Sequence, residues 1–445
     1  MSVAPESHID ALIDARWVIP VDPPHQVLEH HSVAIHNGRI AAILPTPEAL
    51  LRFSPKQHHQ LKDHALIPGL INLHTHAAMN LLRGLSDDLP LMEWLNGHIW
   101  PAESRHVSAD FVHDGTLLAC AEMLRGGVTC FNDMYFFPEA AAEAALVAGM
   151  RATIGIITLE FPTAYAADAE DYLSKGLATR DRLRDEPLLS FSFAPHAPYT
   201  VSDKTFGQVV TYAEQLDLPV HIHLHETDEE IRQSIEQYGL RPLQRLQNLG
   251  LLGPNLIVVH AVHLTQDELT TLAAHGCHVA HCPTSNLKLA SGIAPVVGMQ
   301  QAGLNVGLGT DGAASNNRLD LFGEMRLAAL LAKGTSMEAN ALPAFEALKM
   351  ATLNGARALG LEHEIGSLTV GKAADITAVD LSSLETSPCY DVCSHLVYAA
   401  GREHVSHVWV NGELLLSERQ LTRLDYAKLL AKAGHWRERI SNHPQ

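Results

Sequence analysis

The middle of the chain alternates short runs rich in β-branched and apolar residues with longer stretches whose apolar positions recur at helical spacing. The short runs predict strands over Leu66–Leu73, Val128–Met134, Ala152–Thr158, Leu189–Ala194, Val220–Leu224, Leu256–His260, His278–Cys282 and Asn305–Thr310. The amphipathic stretches predict helices, among them Asp110–Arg125, Asp203–Leu216, Gln266–His275, Asp320–Leu331 and Pro343–Leu359. Strands that alternate with helices in this way are the pattern of an α/β fold, a (β/α)8 barrel. The segment Ala77–Val107, between the first strand and the next helix, is too long for an ordinary connection, and long loops at that place cover active sites.

The two ends of the chain follow a different pattern. "VAIHNGRIAAI" reads as a hairpin turning at Asn37-Gly38, and "VSHVWVNGELL" as another turning at Asn411-Gly412. Short strands at both ends, none in a βα repeat, predict that the termini meet in one small β-sandwich domain outside the barrel. The expected division is 1–65 and 366–445 for that domain, the second part with a terminal helix, and 66–365 for the catalytic barrel.

Composition narrows the partners. An apolar fraction of 47% and a charged fraction of 18% allow a substantial buried core. The chain has no apolar run long enough to span a membrane and no leader-like N-terminus. Six cysteines without framework spacing suggest reduced thiols, so a cytoplasmic location is expected. The formal charge of −19 is offset near neutral pH by 28 histidines, which explains a pI of only about 5.8. This balance argues against nucleic-acid phosphate as a partner and favours a small-molecule enzyme. A homo-oligomer is the expected assembly.

Candidate chemistry gathers at the predicted strand ends. His74 and His76, two residues apart, project from one face at the C-terminal end of the first barrel strand, where barrel active sites lie. Alone, the pair also fits a polar strand end. "LPVHIHLHETDEE" adds His221, His223 and His225 on one face, with Glu226 just past the strand. The helical zinc-protease pattern His-Glu-x-x-His is not met, because Glu229 stands where its second histidine belongs. His260 ends a later strand and Asp311 the last one. Three imidazoles and a carboxylate suit a divalent zinc or iron that keeps an open position for water. Such an ion lowers the pKa of the water toward 7.

Longer motifs then become informative. "GLINLHTHA", "HIHLHET", "VVHAVHL" and "GLGTDGAASNN" resemble the amidohydrolase superfamily. "HAAMNLLRGLSDDLPLMEWL", "APHAPYT", "CPTSNLKLASGIAPV" and "SNNRLDLFGEMRLAAL" resemble its 5′-methylthioadenosine/S-adenosylhomocysteine deaminase family, allied to the s-triazine chlorohydrolases. The resemblance covers nearly the whole chain. It implies that His74, His76, His223 and Asp311 bind one metal ion, zinc by preference and iron as the alternative. It further implies that Glu226 handles protons at a purine ring, that His260 orients and stabilises the attacking hydroxide, and that Asp311 moves the water proton toward the departing ammonia. Glu103 matches the acid that grips ribose hydroxyls, and His196 a substrate-contacting histidine. Binuclear relatives bridge two metals with a lysine on the third or fourth strand, and "ATIGIIT" and "LSFSFAPH" contain none.

In one respect the chain departs from the family. Members that accept S-adenosylhomocysteine carry arginines after "GMRA" to hold the amino-acid carboxylate. Here no arginine or lysine follows Arg151 until Lys175, and Phe161, Pro162 and Tyr165 occupy the interval. The expected substrate is therefore a purine nucleoside, 5′-methylthioadenosine first and adenosine next, with S-adenosylhomocysteine disfavoured. The alternatives are deamination or dechlorination of guanine, cytosine or a triazine, and an inactive scaffold of the same fold. His221 and His225 are expected to pack or to support the ligands, His263 receives no role, and His281, in "VAHCPTSN", fits the family motif with orienting the site and touching substrate both open.

Overall fold

The computed structural model describes residues 7–441. Its barrel strands are Leu70–Thr75, Val128–Asp133, Arg151–Thr158, Leu189–Pro195, Val220–Leu224, Leu256–His260, His278–His281 and Asn305–Leu308. Each pairs in parallel with its neighbours in sequence. The last strand returns to the first, because the Asp311 N–H donates to the His74 carbonyl (3.0 Å) and the Thr310 N–H to Asn72 Oδ1 (2.9 Å). Alternation along the strands explains why both faces are apolar. Leu256 and Val258 pack in the core that includes the surrounding helices, while Ile257 and Val259 fill a separate interior cluster with Ile71 and Ala280.

Two predicted elements prove to be composite. The run Leu66–Leu73 contains the end of one strand, Phe53–Pro68, and the start of the next at Leu70. A continuously apolar run carries no period that marks where one buried strand stops. Gly69 makes the crossing, and a Cβ there would lie 2.1 Å from Thr129 Oγ1. Similarly, Pro343–Leu359 is two helices, Ala344–Met350 and Leu353–Ala358, broken where Thr352 leaves helical geometry (φ −132, ψ −95).

Ser7–Val18, Leu28–His36, Arg39–Pro45 and Phe53–Pro68 join Ile376–Asp380, Val405–Val410, Glu413–Ser417 and Gln420–Leu421 in a second eight-stranded sheet. The N- and C-terminal halves meet where Ile376–Asp380 pairs antiparallel with Phe53–Pro68. The sheet curls around a shared core containing Ile13, Val33, Ile35, Leu66, Ile376 and Trp409. Both Asn-Gly turns have left-handed glycines, and they touch: a Cβ on Gly412 would lie 2.7 Å from Gly38 Cα. Arg151, at the start of the third barrel strand, is committed to Asp375 (3.1 Å). The terminal helix Tyr426–Ser441 packs back on the barrel through Trp436, edge-on to Phe111 at 5.2 Å.

Among the described residues no helix is long and apolar enough to cross a membrane, and all six cysteines are free.

Candidate active site

The strand ends converge. His74 Nε2 lies 3.3 Å from His223 Nε2 and 3.3 Å from Asp311 Oδ1, and His76 Nε2 lies 3.3 Å from the same oxygen. The Nδ1 of each ring is turned outward: His74 to His221 Nε2 (2.9 Å), His76 to the Met134 carbonyl (2.5 Å), His223 to the His196 carbonyl (2.7 Å). A carbonyl can only accept, so Nδ1 carries the proton in His76 and His223, and Nε2 is left as a lone pair. Burial holds His74 near pKa 4 and His223 well below its usual value, so both rings stay neutral. Burial acts against ionisation of Asp311, but its imidazole neighbours His74 and His76, each 3.3 Å from Oδ1, hold its carboxyl well below the usual range. The donors form two triads that share His74, one with His76 and Asp311 and one with His223 and His260, and imidazoles beside a carboxylate suit a divalent cation with an open position.

The support for this centre comes from residues scattered along the chain. Ser285 Oγ and Ser315 Oγ both donate to Asp311 Oδ2, at 2.6 and 2.7 Å. His260 and Asp311 adopt left-handed φ values of 70° and 60°, and His225 one of 55°, a strain that clusters at functional sites. His260 is held through Nδ1 by Asn286 Oδ1 (2.8 Å), stacks on His223 (5.4 Å), and presents Nε2 3.7 Å from Glu226 Oε2. Burial raises the Glu226 carboxyl above its usual range. The loop carrying Glu226 is fixed by Glu230, whose carboxylate accepts the N–H groups of His225 and Glu226 at 2.9 Å each.

A cavity of about 400 Å³ opens above these groups. His76, His223, His260, Glu226 and Asp311 reach it, as do Glu103 and His196, so every site residue expected from sequence except the fully buried His74 lines the same space. The segment Ala77–Val107 supplies one wall, with Trp94, Ile99, Trp100 and Glu103. Phe136, Ile157, Leu159, Phe161 and Tyr165 supply another, and no lysine or arginine lines the cavity among the described residues. Lys175 is turned to the Tyr165 carbonyl and to Asp171 instead. Glu103 is buried on the helix Trp100–His106 and accepts a hydrogen bond from Tyr135 Oη at 2.6 Å.

The remaining histidines separate by contact. His221 lies against His74. His225 is pinned, its Nε2 accepting from the Leu243 N–H (3.1 Å). His263 Nε2 donates to the Ser291 carbonyl (2.7 Å), and His281 is buried with neither ring nitrogen hydrogen-bonded. Sequence reasoning missed Tyr135, Ser285 and Ser315. Tyr135 follows the second strand by two residues, so the strand-end rule reaches it; no local spacing connects the serines to Asp311.

Residues 65–415 match the model of the Amidohydrolase family. A 5-methylthioadenosine/S-adenosylhomocysteine deaminase from Saccharophagus degradans is 49% identical over 431 residues, 97% of each chain. The crystal structure of an adenosine deaminase from Xanthomonas campestris with bound zinc is 51% identical, with a TM-score of 0.97 over 99% of this chain and 100% of that one. The zinc complex of an atrazine chlorohydrolase from Arthrobacter aurescens is 25% identical, with a TM-score of 0.89 over 96% and 99%.

Proposed function

Because the chain belongs to the amidohydrolase family, and within it to the 5-methylthioadenosine/S-adenosylhomocysteine deaminases, we propose that it hydrolytically deaminates an adenine nucleoside. The preferred substrate is 5′-methylthioadenosine, with adenosine accepted and S-adenosylhomocysteine disfavoured; the products are the corresponding inosine and ammonia. The observation that carries this reading is the convergence of His74, His76, His223 and Asp311, with Glu226 and His260 beside them, at the end of a cavity that Glu103 also lines.

His74, His76, His223 and Asp311 would hold the ion, zinc as in the Xanthomonas neighbour, with iron(II) suited to the same donors. When bound, a divalent ion there supplies Lewis acidity and makes a neutral-pH nucleophile of water. Glu226, whose burial favours the protonated form, delivers a proton to the purine ring nitrogen as oxygen attacks C6. His260, aimed by Asn286, presents Nε2 to the attacking oxygen and orients it. Asp311 takes one water proton at its carboxylate and passes it to the amino group as the C6–N bond breaks, and the proton left on the C6 hydroxyl returns to Glu226 as the carbonyl forms. Glu103 accepts hydrogen bonds from the ribose hydroxyls, His196 contacts the substrate, and the apolar wall surrounds an uncharged 5′ substituent.

The lack of a lysine or arginine along the cavity, among the described residues, supports the substrate order. An amino-acid carboxylate buried there forfeits a charge-assisted partner worth about 1.5–3 kcal/mol, or roughly 10- to 150-fold in kcat/KM. Ammonia release from competing 5′-methylthioadenosine, adenosine and S-adenosylhomocysteine tests this, and comparable kcat/KM for the first and last overturns the order.

A further inference from the structure

A carboxylate that grips a diol must be ionised, and Glu103 sits where ionisation is costly. The residue is only 8% exposed, and burial pushes its pKa up to about 7 against the opposing Tyr135 hydrogen bond. Among the described residues, the groups that act on it from neighbouring elements are Tyr135, with Asp133 behind it, and Tyr172 on the helix Ala169–Leu183, none of them cationic. The Tyr172 hydroxyl is engaged elsewhere, donating to Thr163 Oγ1 at 2.6 Å. On the helix of Glu103 itself, Arg105 is exposed and His106 buried. The hydrogen bond from Tyr135 favours the anion, and its 2.6 Å length is that of a charge-assisted bond.

We propose that Tyr135 is a positioning residue for the sugar: by donating to Oε1 of Glu103 it leaves Oε2 as an anionic acceptor for a vicinal diol, and so sets the pH range in which ribosyl substrates bind. The proposal rests on the reading of Glu103 as the ribose acceptor. The phenol suits the task because burial, with Glu103 beside it, holds its own pKa well above the usual value, so it donates throughout the physiological range. The backbone around it is fixed independently of the hydroxyl. The Met134 N–H donates to the Thr75 carbonyl (3.0 Å), and the Met134 carbonyl accepts from His76 (2.5 Å). Removing the hydroxyl therefore changes the carboxylate and little else.

The test compares wild type with Tyr135→Phe, as metal-loaded enzymes, across about pH 5.5 to 9. The substrates are 5′-methylthioadenosine and 2′,3′-dideoxyadenosine, which keeps the purine and lacks the diol. For the diol-bearing substrate, the rising limb of kcat/KM should move about one pH unit to the alkaline side, with KM at neutral pH up roughly tenfold and kcat within about twofold. The dideoxy control should not respond to the substitution. An unmoved limb, or an equal loss on the control, overturns the proposal. Glu103→Gln gives a second check, since it should abolish the limb and make Tyr135→Phe silent in that background; a further loss there also overturns it. A wild type whose two substrates share one profile would remove the sugar role of Glu103 itself, and the proposal with it. An effect missing only from Tyr135→Phe would remove the proposal alone.

Discussion

Replacing His221 by phenylalanine takes one acceptor from beneath the ligand cluster while keeping a planar ring there. The ring is 0% exposed, and its Nε2 lies 2.9 Å from His74 Nδ1. For His74 to offer Nε2 to a cation, its proton must sit on Nδ1, and that N–H then needs an acceptor. With phenylalanine the donor is stranded in the interior at about 1–3 kcal/mol. If the proton moves to Nε2 instead, His74 ceases to be a ligand, so either way the cost falls on ion binding. The expected dissociation constant for zinc is about 5- to 150-fold weaker, the range in which lost outer-shell partners act. Equilibrium competition with a chromophoric chelator reads this without turnover. His221→Gln, which keeps an acceptor, should recover much of the affinity, and urea unfolding of the apoproteins separates ion binding from folding. A phenylalanine variant that binds zinc within about twofold of wild type would refute the reasoning.

Glu226→Gln should retain the ion by elemental analysis yet lose about 10²- to 10⁴-fold in kcat, and normal turnover would remove the proton role of Glu226. Phe161 is 39% exposed and 6.0 Å from Trp100. Phe161→Arg adds a partly screened cation at that wall, so kcat/KM for S-adenosylhomocysteine should rise about fivefold relative to 5′-methylthioadenosine; an unchanged ratio counts against the charge argument. His407 stacks on Trp409 at 5.7 Å, and burial, followed by His64 and His59, lowers its pKa to about 4. Between an unfolded value near 6.5 and about 4 the unfolded chain binds a proton that the folded chain refuses, so stability should fall by up to about 3 kcal/mol as the pH drops through that window. Urea unfolding at neutral and acid pH checks this, and His407→Phe should flatten part of the slope; an unchanged slope would exclude His407 as its source.

Much of the barrel was legible because each strand is short, apolar and bounded by turn signals, and because His74, His76, His223, His260 and Asp311 stand at or beside the ends of such strands. The Asn-Gly pairs marked both terminal hairpins by local chemistry alone, since type I′ turns need positive φ. The divided run at Gly69 was not legible, because two consecutive buried strands read as one where no residue must face water. His221 and His225 shared a face in the sequence pattern but diverge in the fold. The left-handed φ of His225 ends the alternation and sends that ring to the Leu243 N–H, while His221 stays in register beneath His74.

Local sequence therefore determined which residues end the strands, and with them the donor types at the rim, because strand periodicity and turn chemistry act over a few residues. Tertiary structure alone decided how those donors are held and what the cavity accepts. The bonds from Ser285 and Ser315 to Asp311, from Tyr135 to Glu103 and between His74 and His221 join residues remote in sequence. Their geometry exists only once the strands have closed into a barrel, and the burial that shifts Glu103 and Glu226 is likewise a property of the packed chain.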